Sequence, residues 1–531
     1  MDQDWWRGAV VYQVYPRSFQ DDTGDGIGDL AGITRRLPHI RDLGADAIWL
    51  SPIFPSPMAD MGYDVSNYTD IEPTFGTLAD FDALIEAAHG MGLKIIVDQV
   101  LSHTSIEHPW FVESRADKTN PKADWYVWAD PKPNGAPPND WPSVFGGSAW
   151  TWDARRRQYY LHNFLDLQPD LNFHNPEVQD KVLEILKFWL DRGLDGFRLD
   201  TVNYFMHDKH LRENPAKPWP KDALPSNPYE MQIHKYSKSR PANVKFLKRV
   251  RALTDEYAGR TLVGEIGDSD YAIELMGKYT SGGDKLHMAY SFDMLSPDFS
   301  VKHFRRTIEG FWNGAKGGWP MWSMSNHDVN RHATRWAEYG AAPDGIAKLS
   351  IMMLAAFEGT LCLYQGEELG LTETDLEYRD LTDPVGLRFW PENKGRDGCR
   401  TPMVWDETAN AGFSTGTPWL PVKAPQAARA VSKQDGKKGS VLEHYRAALA
   451  WRKSEPLLRS GKQKFHSAPD PVLYFTRKSG GETLHCFFNL GAEPIKLPYS
   501  KGGEMVGPQA GATLKKGKLH LPANGWAVFK V

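Results

Sequence analysis

Residues 77–100 read TLADFDALIEAAHGMGLKIIVDQV, and the change of rhythm after Gly92 decides the fold. Through 77–92 the apolar positions keep helical spacing and stop at a glycine, where helices commonly end. Residues 93–100 are then a short apolar, β-branched run, as a strand requires. The same alternation recurs along the chain. Strands are expected at 9–15, 45–52, 93–100, 194–202, 260–266, 286–294, 319–328 and 360–369, with further amphipathic helices at 176–193 and 345–359. Eight strands alternating with helices predict the α/β class and a (β/α)8 (TIM) barrel, closed by right-handed crossovers.

Two stretches break the alternation. Residues 104–170, rich in Pro, Trp and Asp, follow the third strand and are too long for a simple loop, so they read as an inserted small domain B. From about 456 the chain turns to short alternating strands such as PVLYFTRKS and TLHCFFNL, the pattern of a C-terminal β-sandwich. The expected organisation is barrel 1–103, insert 104–170, barrel 171–455 with an irregular excursion near 371–425, and sandwich 456–531.

With 531 residues and 41% hydrophobic content the chain can build one large core plus appended domains. Its 62 basic and 67 acidic residues leave a charge of -5 without long like-charge runs, which argues against a nucleic-acid partner. The N-terminal MDQDWWRGAVVYQVYP lacks the features of a secretion signal, and no apolar run approaches a membrane span, so a cytoplasmic protein is expected. Cys362, Cys399 and Cys486, widely spaced, read as free buried thiols. A complement of 20 Trp, 20 Tyr and 24 Phe serves core packing first and would also suit stacking on sugars.

In such a barrel the chemistry lies at the C-terminal ends of the strands. Asp98 and His103 follow strand three, Arg198 and Asp200 lie on strand four, Glu265 ends strand five, and His327 and Asp328 end strand seven. Any one of these could be a structural ion pair; their arrival at successive strand ends argues for a site. Two carboxylates, one ionised and one protonated, can cleave a glycosidic bond with retention through a covalent intermediate. Arg198, two residues from Asp200 and on the same side of a strand, would hold that carboxylate ionised as a nucleophile. Glu265, after the apolar TLVG, is placed for burial to keep it protonated as the acid. Asp328 would grip sugar hydroxyls.

The segments VVYQVYPRSFQD, DMGYDVSNY, DQVLSHTS, QPDLN, GFRLDTVN, VGEI, SNHDVNR, QGEELG and CRTPMVWD, in this order over residues 10–405, resemble the α-amylase superfamily of glycoside hydrolases, in its branch of bacterial α-glucosidases and oligo-1,6-glucosidases. The resemblance implies Asp200 as nucleophile, Glu265 as acid/base and Asp328 as the carboxylate that stabilises the distorted ring. Around the terminal glucose it implies Asp60, Tyr63, Asp98, His103, Arg198, His327 and Arg400, with Asp60 and Arg400 closing the pocket over the non-reducing end and so giving exo-action. Phe145 and Phe164 would line the entrance by position. Ser102 departs from the Asn that many members carry there. Thr201 stands where members preferring α-1,6 links tend to have Val and those preferring α-1,4 links Ala, Gly or Thr. The expected activity is therefore a retaining α-glucosidase on maltose and short α-1,4-glucans, with transglucosylation open to it, as a monomer or homodimer. An oligo-1,6-glucosidase or a sucrose- or trehalose-acting enzyme would use the same residues. A catalytically inactive partner subunit is the non-enzyme alternative, but such chains lack the acid pair present here.

The stretch DDTGDGIGDL, 21–30, sets oxygen-bearing side chains at Asp21, Thr23, Asp25 and Asp29 with the Ile27 carbonyl between them, the alternating spacing of a calcium loop. Gly32 takes the twelfth position, where an EF-hand has Glu, so the loop resembles the small structural Ca2+ or Mg2+ loop of this enzyme branch. No organic cofactor is expected.

Overall fold

The computed structural model describes residues 3–219, 225–342 and 344–531. Eight parallel strands form the barrel wall: β1 Val10–Val14, β2 Ala47–Leu50, β3 Lys94–Gln99, β4 Gly196–Leu199, β5 Thr261–Ile266, β6 Met288–Ser291, β7 Met321–Ser323 and β8 Thr360–Tyr364. They run in the order β7-β8-β1-β2-β3-β4-β5-β6, and a parallel bridge from Ala289 to Pro320 joins β6 to β7 and closes the ring. Nearly every strand residue is buried, because helices cover the outside and side chains fill the inside.

Local chemistry explains the alternation. Helix Leu78–Gly90 starts on a capping box of Thr77 and Asp80 and buries Phe81, Leu84, Ile85 and Ala88; Gly92, at φ 77°, then turns the chain into β3. Helix Pro176–Asp191 starts on the Asn175 cap and a first-turn proline, and Gly193, at φ 94°, leads toward β4. Register then builds the mouth. Asp98 lies opposite Arg198 across β3 and β4, and Glu265 opposite Tyr290 across β5 and β6.

Between β3 and β4 the insert carries helix Pro109–Ser114 and a small antiparallel sheet of Trp128–Ala129, Gln158–Leu161 and Trp150–Asp153. It is stitched to the barrel rim by bridges from His103 to Asp170 and from Tyr126 to Leu171. The C-terminal strands form a five-stranded and a three-stranded antiparallel sheet around Val472, Phe487, Leu497, Leu519 and Phe529. Among the described residues no helix is long and apolar enough to cross a membrane. All three cysteines are free and buried.

The structure departs from the expected pattern in three places. The strand predicted at 319–328 pairs only over Met321–Ser323; beyond it the chain turns, with the Asn326 side chain accepting from the Asp328 N–H at 2.9 Å, which lifts His327 and Asp328 into the mouth. Residues Pro456–Ser460 are a helical turn, so the terminal strands begin at Lys462. A second irregular segment, unforeseen in the sequence, follows β4, its described residues being 200–219 and 225–242. It leans on the insert, with Trp141 Nε1 donating to the Arg212 carbonyl at 3.0 Å and Asn227 to that of Val144 at 2.7 Å.

Candidate active site

A cavity of about 380 Å³ opens at the C-terminal mouth of the barrel, lined among others by Asp60, Tyr63, His103, Phe145, Phe164, Asp200, Thr201, Glu265, His327, Asp328 and Arg396. Asp98, Arg198 and Arg400 lie behind that lining, at 0%, 1% and 0% exposure. Arg198 is the hub. Its Nη1 lies 2.7 Å from Asp98 and 2.6 Å from Asp200, its Nη2 2.6 Å from Glu265, and Trp49 packs against the guanidinium at 4.8 Å. The sequence pair Arg198/Asp200 thus faces one shared cluster, with Asp200 at the cavity and Arg198 beneath it.

Three buried carboxylates around one guanidinium cannot all ionise easily. Burial raises Glu265 to about 7 against the pull of Arg198, with the charges of Asp200 and Asp328 adding to the rise. Burial also raises Asp200 and Asp98 to about 6, again against Arg198. Arg198 therefore does not hold Asp200 in the usual carboxylate range, because desolvation outweighs it. Burial thus moves Glu265 toward the protonated form that a general acid needs. Glu265 is further held by Tyr290 OH at 2.8 Å and by the backbone N–H of Thr201 at 3.1 Å. Thr201 has φ 37°, rare for a β-branched residue, and its hydroxyl donates to Asp200 at 3.2 Å.

The other end of the cavity is walled by a second charge network. Arg396 Nη2 lies 2.7 Å from Asp60 and 2.6 Å from Asp383, and its Nη1 3.3 Å from Asp328. Arg400 reaches Asp328 at 3.3 Å and donates to the His327 carbonyl at 2.8 Å. Both arginines stand at this end, Arg396 as the direct partner of Asp60 and Arg400 beside it on Asp328. The short helix Asp397–Arg400 carries Arg400 toward the end of β7 and leaves Asp60 to the arginine just before it. Burial opposes ionisation of Asp328, but His327, Arg396 and Arg400 hold its carboxyl well below the usual range.

Burial lowers His327 to about 3 and His103 to about 4, so both rings are neutral near pH 7. Gln13 donates to His327 Nδ1 at 2.7 Å, which leaves the proton on Nε2, facing Tyr63 OH at 2.7 Å; Tyr63 in turn donates to Asp98 at 3.0 Å. The Tyr63 and His327 rings lie parallel, with centroids 5.3 Å apart and planes within 5°. Phe164 packs on His103 at 5.2 Å and Phe145 lies under the Arg396 guanidinium at 5.1 Å. Ser102 bonds both His103 Nδ1 at 2.9 Å and Thr201 at 3.2 Å. Gln168, inside the insert, donates to Asp60 at 3.1 Å.

Sequence reasoning missed Arg396, Tyr290, Gln13 and Gln168. Tyr290 and Gln13 sit on β6 and β1, where the rule of polar residues on barrel strands could have found them. Arg396 lies in the irregular excursion, and its signal is the spacing of RDGCR, two arginines four apart.

No residue of the loop 21–29 lines this cavity. Asp21 accepts from Thr23 Oγ1, Gly24 N, Gly26 N and Ser414 Oγ; Asp29 accepts from Asp22 N, Thr23 N and Gly32 N; and Asp25 accepts from Ile27 N at 2.8 Å. Through Ser414 the loop pins the barrel's first segment to the excursion. Its donors are all oxygen, the type that Ca2+ and Mg2+ take. Among the described residues no three His, Cys, Asp or Glu side chains converge as metal donors, so Thr23 and the Ile27 carbonyl would have to complete the set.

The catalytic-domain family called alpha amylase matches residues 13–461. Over 99% of this chain and 97% of its own length, a probable alpha-glucosidase of Rhizobium meliloti (strain 1021) is 54% identical. An oligo-1,6-glucosidase of Heyndrickxia coagulans is 38% identical over 93% of each chain. The crystal structure of XgtA, an alpha-glucosyl transfer enzyme, superposes with a TM-score of 0.95 at 50% identity over 99% of each chain.

Proposed function

The chain belongs to the α-amylase superfamily of glycoside hydrolases, in its α-glucosidase branch, and from that premise we propose that it is a retaining, exo-acting α-glucosidase of short α-1,4-linked gluco-oligosaccharides such as maltose. One observation carries the reading. Asp200 and Glu265 both bond to the terminal nitrogens of one guanidinium, at 2.6 Å each, beside a pocket whose far end Asp60 and Arg396 wall off. Close-set carboxylates, about 5 to 5.5 Å apart, are the retaining arrangement. In the first half-reaction Asp200 attacks the anomeric carbon while Glu265 gives its proton to the departing glycosidic oxygen. In the second, Glu265 takes a proton from water, which displaces Asp200 and releases glucose. A sugar hydroxyl in place of water gives transfer, the reaction named for XgtA. Asp328, held ionised, would share its charge with the oxocarbenium-like ring.

Linkage preference rests on Thr201, whose hydroxyl is tied to Asp200 and Ser102 at the cavity edge. Glucose release from maltose is expected to exceed release from isomaltose. Thr201→Val should shift that ratio toward isomaltose by about tenfold, the scale of a pocket contact; side-by-side initial rates decide, and a wild type faster on isomaltose moves the enzyme to the oligo-1,6 reading that its relative carries.

The loop 21–29 we assign to a structural Ca2+ or Mg2+, supported by its all-oxygen donors. Chelation is then expected to lower the melting temperature by about 5 °C or more, with recovery on adding Ca2+ and with KM for maltose unchanged. An unaltered melting curve would leave the loop as a hydrogen-bonded turn.

A further inference from the structure

Lys238 is 3% exposed, lies in the unforeseen irregular segment after β4, and among the described residues pairs with no carboxylate. Its ammonium spends all three donors on neutral acceptors: Tyr204 OH at 3.0 Å, Tyr229 OH at 2.9 Å and the Gly267 carbonyl at 2.7 Å. The two phenols also bond each other at 2.7 Å. Burying a cation without a counter-charge is costly, so this one is held where its contacts do something that an apolar side chain would not.

Two of these contacts follow the strands that lead to the carboxylates. Tyr204 lies four residues past Asp200, and Gly267 two past Glu265. Asn203 adds a parallel tie, donating to the Gly267 carbonyl at 3.3 Å and accepting from its N–H at 3.0 Å. A Cβ at Gly267 would stand 3.1 Å from the Tyr204 ring, so ring and backbone touch. Tyr204 lines the cavity and packs on Phe164 at 5.4 Å with the rings tilted by 38°; among the described residues no hydrogen bond or ring contact joins it to Asp60 or Arg396. The glucose being transferred occupies the walled end; Tyr204 therefore faces whatever sugar leaves or arrives on the other side of the carboxylates.

We propose that Lys238 is a positioning residue for the leaving and accepting sugar: it clamps Tyr204 to Tyr229 and Gly267 and so fixes the wall against which that second sugar packs. The inference rests on the glucosidase reading above. Three readouts on purified full-length protein test it: KM and kcat for maltose, the fraction of glucosyl groups passed to added glucose, and inhibition by deoxynojirimycin, which fills the glucose pocket alone.

For Lys238→Met the expected result is a KM for maltose raised about tenfold and a transfer fraction cut about fivefold, with deoxynojirimycin inhibition within about twofold of wild type. Tyr229→Phe, which removes one acceptor and keeps the ring, should move the same readouts less, and it decides the matter where Lys238→Met does not fold. Loss of deoxynojirimycin binding in step with maltose, or unchanged maltose kinetics and transfer in the variants, would overturn the assignment. A wild type that cleaves no α-glucoside overturns the parent reading instead, before any variant is made.

Discussion

Asp200→Ala lowers the rate of glucose release from maltose by about four decades or more, because it removes the atom that bonds the anomeric carbon from a group of residues that act as a unit. Glu265→Gln costs maltose hydrolysis a comparable amount for a different reason: glutamine cannot give the departing sugar its proton. The two variants separate on α-glucosyl fluoride, whose leaving group needs no proton. Glu265→Gln still glucosylates Asp200 with this substrate and accumulates the ester, visible in the intact mass, whereas Asp200→Ala forms none. The pH profile follows from the same assignment. Wild-type kcat/KM is bell-shaped, failing on the acid side as Asp200, raised to about 6, takes up a proton, and on the alkaline side as Glu265, raised to about 7, loses one. Glu265→Gln loses the alkaline limb. A folded variant with near-normal turnover would sink the site assignment.

Arg198→Leu is the second large effect, and it is one of stability as well as rate. The side chain is 1% exposed and is shared by Asp98, Asp200 and Glu265. Removing one partner from a buried ionic cluster costs about 3–5 kcal/mol. The cost depends on pH in a definite direction. Without the guanidinium, the folded-state pKa values of the three carboxyls rise further above their unfolded values. A folded state that binds more protons than the unfolded one loses stability as pH rises. The deficit of the variant is therefore largest above the raised pKa values and narrows below them, where the folded carboxyls of wild type and variant are alike protonated. Melting temperatures of wild type and variant across that range check it; a gap that does not change with pH would show that Arg198 stabilises by packing alone.

How much of this was legible in the sequence differs between strands and loops. The eight barrel strands were readable because strands buried on both faces need short apolar β-branched runs, and LKIIVDQV or LDGFRLDTV leave little choice. Asp98, Asp200 and Glu265 were readable for the related reason that a charge on such a run is costly unless it is used. Tyr290 escaped because a tyrosine on an apolar strand looks like core until the register sets it beside Glu265. Arg396 escaped because its excursion has no period to mark which side chains point inward; only the fold brings it 2.7 Å from Asp60, 336 residues away. The segment holding Lys238 was invisible for the same reason, since polar and aromatic residues without rhythm do not reveal what they face. The raised pKa of Asp200 was hidden for another reason. A sequence shows the neighbouring arginine but not that two more carboxylates share it.

The ring closure that makes the pocket has a consequence for synthesis. β1 pairs with β8, and Tyr12 beside that seam reaches Glu368, 356 residues later. At roughly 5–20 residues per second a ribosome needs about 20 to 70 s to deliver that partner. For that interval the VVYQV edge, buried throughout in the finished protein, has β2 on one side and nothing of its own on the other. An emerging chain in this state carries an open strand edge, a template for wrong pairing until β8 is delivered.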